Sequence, residues 1–198
     1  VSAPALVVAL HGHQDDPDRL ADRLAPLSSS NRIVLTPRSA ISEPAGPVWF
    51  RSDDTGPIEL ELVSSLDRLD QLIDDLAGNH GIGRDQVVLG GFSQGGAVAL
   101  AFALRDGGRS TPLAGVFSVS GWLPHAEGVT YDAAALAAGG TRVLIVHGVD
   151  DGVVAVQQGR SAARFLERHG VSVRYVEEPG GHHLGVTAVD ELVHWIDR

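Results

Sequence analysis

Ser93 stands in Gly91-Phe92-Ser93-Gln94-Gly95, a G-x-S-x-G spacing. A serine hydroxyl is a weak nucleophile and needs a base within reach of its proton. A sharp turn between a strand and a helix lifts such a side chain clear of its surroundings, and small residues two places either side leave it room. An apolar run at 86–90 precedes the motif, and a stretch of small and apolar residues at 94–104 follows it. The local reading is therefore strand, turn, helix. The helix start aims free N–H groups and the positive end of its dipole at the serine. A glycine-rich turn with a bystander serine would show the same five residues; the flanking strand and helix favour the nucleophile.

A nucleophilic serine needs a base and an acid to orient that base, and the chain order Ser, Asp, His is one of those in which they occur. Asp151 lies in His147-Gly148-Val149-Asp150-Asp151, and His182 in Gly180-Gly181-His182-His183, each just after an apolar run. Asp150 and His183 are the rivals. Asp150 reads as a solvated loop charge, and the glycines before His182 suit a close approach to the turn at Ser93. His182 would take the Ser93 proton and return it to the leaving group, while Asp151 fixes the tautomer. Acyl transfer also needs donors for a developing oxyanion. The candidates are the backbone N–H groups of Gln94 and of His13, in Gly12-His13-Gln14. His11, His13, His147 and His182 raise the alternative of a metal site. With no HExxH helix, and with the serine apparatus already accounting for their location, no metal or other cofactor is expected. His80, His125, His169 and His194 lie away from these loops and read as surface or structural residues.

The elements that must position these groups alternate. Short apolar runs at 5–10, 32–36, 86–90, 113–119, 142–146 and 171–176 read as strands. Between them, Asp16-Pro17 gives an N-cap and N1 signal for a short helix marked by Leu20, Leu24 and Leu27. Leu62, Leu66, Leu69, Ile73 and Leu76 recur at helical spacing over 58–77. Further helices are expected at 94–104 and 154–169, a short one within 122–140, and a last one opened by a Thr187/Asp190 capping box. Residues 38–57, with three prolines and two glycines, read as one long loop. Strands alternating with helices argue a parallel sheet covered by helices on both faces, with ligands bound beyond the carboxyl ends of its strands.

Composition narrows the chemistry. The 198 residues include no cysteine and no lysine, so all 15 basic residues are arginine. Thiolate nucleophiles, disulfides, Schiff bases and Ser–Lys dyads are excluded. A net charge of −10 makes nucleic acid a poor partner and argues against membrane surfaces. No apolar run approaches the ~20 residues of a membrane span, so no membrane insertion is expected. The apolar opening lacks the basic start of a secretion signal, and a cytoplasmic location is the expectation.

These motifs resemble the α/β-hydrolase superfamily, and within it the phospholipase/carboxylesterase branch that includes the acyl-protein thioesterases. The resemblance is carried by Gly91 to Gly96, by Ser120-Gly121-Trp122-Leu123-Pro124, by His147-Gly148 with Asp151 and Val154, by Gly181-His182, and less fully by His11-Gly12 with Asp15. It spans residues 6 to 196. It implies a single α/β-hydrolase domain with a minimal, mostly parallel six-stranded sheet and no cap domain. It also implies Ser93, Asp151 and His182 as nucleophile, acid and base, and the N–H groups of His13 and Gln94 as oxyanion hole. Gln14 stands where the family usually has glycine, which is expected to narrow the site. The expected activity is hydrolysis of small-molecule carboxylic esters of short-to-medium acyl chain through an acyl-enzyme. A thioesterase, depalmitoylase or lysophospholipase with the same triad is the alternative, and a non-catalytic binding protein on the same fold a distant one. Trp49, Phe50, Trp122 and Leu123 are the candidate pocket walls; packing against the core is the competing role for these side chains.

Overall fold

The computed structural model describes residues 5–54, 56–106, 112–126 and 129–198. The first half runs β1 (Leu6–Leu10), α1 (Pro17–Leu24), β2 (Ile33–Leu35), β3 (Ile41–Glu43), β4 (Gly46–Val48), β5 (Ser52–Asp53), β6 (Gly56–Pro57) and α2 (Glu59–His80). The second half runs β7 (Val87–Phe92), α3 (Gln94–Asp106), β8 (Gly115–Val119), α4 (Ala133–Ala138), β9 (Arg142–Gly148), α5 (Val156–Arg168), β10 (Val173–Glu178) and α6 (Val186–Ile196).

Six strands form one sheet in the order β10-β9-β8-β7-β1-β2, every neighbouring pair parallel. Alternate residues of each strand feed opposite cores. Leu6, Val8 and Leu10 of β1 pack with Leu62, Leu66, Leu69 and Ile73 of α2 and with α3 and α5. Val7 and Ala9 pack with Leu20 and Leu24 of α1 and with Leu192, Trp195 and Ile196 of α6. Burial on both faces is why these strands read as unbroken apolar runs rather than as alternation. The strand order reverses between β1 and β7, and in parallel sheets the crevice at such a switch point is where ligands bind. The loop 11–16 and the turn at Ser93 flank that crevice.

Local signals explain most boundaries. Asp16 caps α1 by accepting the Asp18 N–H at 3.0 Å, with Pro17 at the first helical position. Leu27 lies on a 3-10 turn beyond it. The helix expected at 58–77 extends to His80, where Gly81 ends it in the left-handed region at φ 64°. Two expectations are corrected. Residues 38–57 are not one loop but two short antiparallel hairpins, β3–β4 and β5–β6, in a stretch too rich in proline for longer strands. Thr187 and Asp190 form no capping box, because Gly185 is the N-cap of α6. Glu178, at the end of β10, faces this first turn, where the Ala188 N–H and the Thr187 hydroxyl draw its carboxyl down. Burial raises the Glu178 carboxyl above its ordinary value, against the pull of His183 and these two donors.

Candidate active site

Strand β7 delivers Ser93 into a left-handed backbone conformation, φ 53°. For a residue with a Cβ this costs about 1–2 kcal/mol, so the surroundings must hold it. They do so through the Ser93 N–H, which donates to Val119 O at 2.8 Å, and the Ser93 carbonyl, which accepts from Ala97 at 3.0 Å. Gly91 and Gly95 are required here, because a Cβ on either would strike the backbone carbonyl of Leu10. The motif thus lets β1, β7 and α3 approach closely enough to place Ser93 over the switch point.

His182 arrives on the loop after β10. Its Nε2 lies 2.9 Å from Ser93 Oγ and its Nδ1 2.8 Å from Asp151 Oδ2. The ring packs on Phe92, with centroids 4.9 Å apart. Asp151 arrives on the loop after β9 with its side chain out of solvent. The other carboxylate oxygen, Oδ1, accepts the N–H groups of Val153 at 2.9 Å and Val154 at 2.8 Å. Burial pushes this carboxyl up, but the bonds from His182, Val154 and Val153 outweigh it and leave it below the ordinary aspartate value. An ionised Asp151 makes His182 Nδ1 the donor, and leaves Nε2 free to accept from the Ser93 hydroxyl.

Opposite His182, a cavity of about 580 Å³ opens beside Ser93, lined by Phe50, Trp122, Val153, Val154 and Ala155 among others. His13, Ser52, Gln94 and Gln158 give it polar edges. The Gln94 N–H is in the first turn of α3, where no intrahelical acceptor exists. The His13 N–H has no backbone or side-chain acceptor among the described residues. Activated hydroxyl, base, ionised acid and two free amides at one cavity can carry acyl transfer.

Residues 2–197 match the phospholipase/carboxylesterase family. The chain belongs to that family. A probable carboxylesterase, SOBER1-like, of Arabidopsis thaliana is 32% identical over 142 residues, 71% of this chain and 52% of that protein. An acyl-protein thioesterase 1 of Gibberella zeae is 31% identical over 145 residues, 72% of this chain and 58% of that one. The chain therefore spans little more than half the length of these curated relatives. Among solved structures, the carboxylesterase of Bacillus cereus superposes with a TM-score of 0.83 at 25% identity, covering 98% of this chain and 88% of that one. The fold is that of the α/β-hydrolase carboxylesterases and thioesterases.

Within this family frame, the candidates sort by place. Ser93, His182 and Asp151 come together, and so do His13, Gln94, Phe50 and Trp122 around the cavity. Asp150 is exposed, its N–H donating to Gly180 O. His183 turns back on the Gly181 carbonyl at 3.0 Å. Trp49 and Leu123 do not line the cavity. Leu123 packs against the core. The indole N–H of Trp49 needs a buried acceptor and finds the His11 carbonyl at 2.9 Å, which draws the ring behind the loop 11–16. Gln14 does not narrow the site either. It takes a left-handed φ of 54°, the reason glycine suits this position, and its amide donates to Glu43 at 2.7 Å. His169 and His194 bond carbonyls of their own helices.

The roles of three side chains escaped the sequence reading. The Gln94 side chain clamps the hairpin segment, accepting the Trp49 N–H at 2.9 Å and donating to Phe50 O at 2.7 Å. His147 is fully buried behind Asp151; its Nε2–H donates to Val154 O at 2.8 Å and lies 3.4 Å from Asp151 Oδ2. Gly159 on α5 makes room for this ring, since a Cβ there would sit 2.6 Å from Nδ1. The pairing of His147 with Asp151 four residues on was the available signal. The third is His11. Among the described residues no helix is long and apolar enough to cross a membrane.

Proposed function

We propose that this protein is a serine carboxylic-ester hydrolase acting through an acyl-enzyme, on neutral esters of short-to-medium acyl chain. The observation that supports it best is the unbroken hydrogen-bond line Ser93–His182–Asp151 at the mouth of an apolar cavity. Ser93 Oγ attacks the ester carbonyl as His182 Nε2 takes its proton. The tetrahedral oxygen anion is met by the N–H groups of His13 and Gln94. His182 then protonates the departing alcohol, and water repeats the sequence to release the acid. Phe50, Trp122 and Val154 supply apolar walls for the acyl group. None of the described lining residues is an arginine, and Arg51 beside the cavity is held by Glu61. With a net charge of −10, this disfavours polyanionic substrates such as coenzyme A esters.

The test is turnover of p-nitrophenyl esters of increasing chain length, with fluorophosphonate labelling of Ser93. Activity falling from short to long chains, with the label on Ser93, is the expected result. An unlabelled protein without turnover would mark a binding protein instead. The fungal relative's name favours a second reading, a thioesterase with the same triad. Matched oxygen and sulfur esters measured side by side separate the two.

A further inference from the structure

Resting on the ester-hydrolase reading, we propose that His11 is a positioning residue whose ring aims the His13 N–H at the substrate oxygen. Its ring is buried, and both nitrogens are engaged by backbone. Nε2 lies 3.1 Å from the Ser39 N–H, which can only donate. Nε2 therefore carries the lone pair and Nδ1 the proton, which it donates to the Gly12 carbonyl at 2.7 Å. Asp15 N–H bonds the same carbonyl at 3.2 Å.

That carbonyl belongs to the peptide whose N–H is His13. In a trans peptide the C=O and N–H point in opposite directions within one plane. Two donors on the Gly12 oxygen therefore fix where the His13 N–H points, although neither touches it. The anchor is rigid. Gly12 abuts Ser93, His13 lines the cavity, and the His11 ring stacks on Trp49 with centroids 5.0 Å apart. Trp49 in turn binds the His11 carbonyl and is held by Gln94. Only an imidazole in this tautomer serves Gly12 and Ser39 at once. A charged ring would set its second N–H against that of Ser39.

The experiment compares an aryl ester with its thionoester, in which sulfur replaces the carbonyl oxygen. Sulfur accepts hydrogen bonds poorly, so a working oxyanion hole favours the oxygen ester. Removing one such donor outright costs about 10²–10³ in kcat. Misaiming it in His11→Phe, which keeps the stack on Trp49, is expected to lower kcat about 10- to 100-fold with KM little changed. The preference for the oxygen ester should shrink by a similar factor. His11→Asn keeps an N–H near the Nδ1 position and should recover most of both; His11→Gln keeps only the Ser39 contact and should fall with phenylalanine. If His11→Phe does not fold, the Asn and Gln variants decide. Full kcat in His11→Gln, or a lost rate with the oxygen preference intact, would overturn the proposal. A wild-type protein that hydrolyses neither ester would instead strike the parent reading.

Discussion

The two sides of Ser93 are built on different principles. On the β9–β10 side, chemistry sits in side chains: the loops are short, and each brings one titratable group, Asp151 or His182, to a hydrogen-bond partner. On the β1 side the reactive groups are backbone amides, and side chains serve to hold backbone. His11 holds Gly12, and Gln94 holds Trp49 and Phe50. The difference teaches that a site can be half visible by residue type and half invisible, because an N–H is present at almost every position and only its direction matters.

The sharpest way to break the comparison is to remove side chains on the β9–β10 side. Ser93→Ala and His182→Ala are each expected to lower kcat about 10⁴- to 10⁶-fold with folding intact, and the double variant to be no worse, since the groups act as a unit. Asp151→Asn should lose about 10⁴-fold through the wrong imidazole tautomer. His183→Ala and Asp150→Asn should stay within about twofold of wild type. Steady-state turnover of a short p-nitrophenyl ester reads all six. A large loss in His183→Ala would show that the base is misassigned.

These predictions rest on what was legible in the chain. Six apolar runs and the amphipathic stretches between them marked the sheet and its helices, most plainly at the inner strands β1, β7 and β8, which are buried on both faces. Ser93, Asp151 and His182 were legible as residue types placed after strands. What escaped depends on contacts between distant segments. The hairpins at 41–57 lack a run long enough to register, and their partner is the Gln94 side chain, whose role in the motif was read from its N–H alone. Trp49 looked like a pocket wall because an aromatic in a loop gives no sign of which face it turns. The Thr187/Asp190 signature failed because α6 starts earlier, with Gly185 as its N-cap.

On the β1 side, effects should be smaller and fall on stability and selectivity. Gln94→Ala leaves the buried Trp49 N–H and Phe50 carbonyl without partners, at about 1–3 kcal/mol for each orphaned group. Urea unfolding should show that loss. Phe50 lines the cavity, so the acyl-chain profile should broaden as this wall loosens. An unchanged profile would mean that Phe50 is held by its own packing.

His11 predicts a pH signature distinct from catalysis. Burial lowers its pKa below the ordinary 6.5, with Arg38 pushing the same way and the Gly12 bond, Asp15 and Asp16 pulling back. As pH falls below 6.5, the unfolded chain takes up a proton that the folded one resists. The unfolded state then binds more protons, so stability declines with acid across the window from 6.5 down to the folded value. His11→Gln removes this contribution. Its stability deficit relative to wild type should narrow as pH drops from about 7 to about 5. A constant deficit would mean that the ring titrates normally in the fold.

The smallest effect asks whether the β1 side also carries strain. Gln14 holds φ 54° and one side-chain hydrogen bond, to Glu43. Gln14→Ala loses the bond and keeps the left-handed backbone. Gln14→Gly loses the bond and relaxes the backbone. The two differ by the conformational cost alone, so the glycine variant should be more stable than the alanine variant by about 1 kcal/mol. Thermal unfolding of the pair measures this directly. If alanine matched glycine, the left-handed turn would be free of cost, and the oxyanion loop would be shaped by its hydrogen bonds without opposition from its backbone.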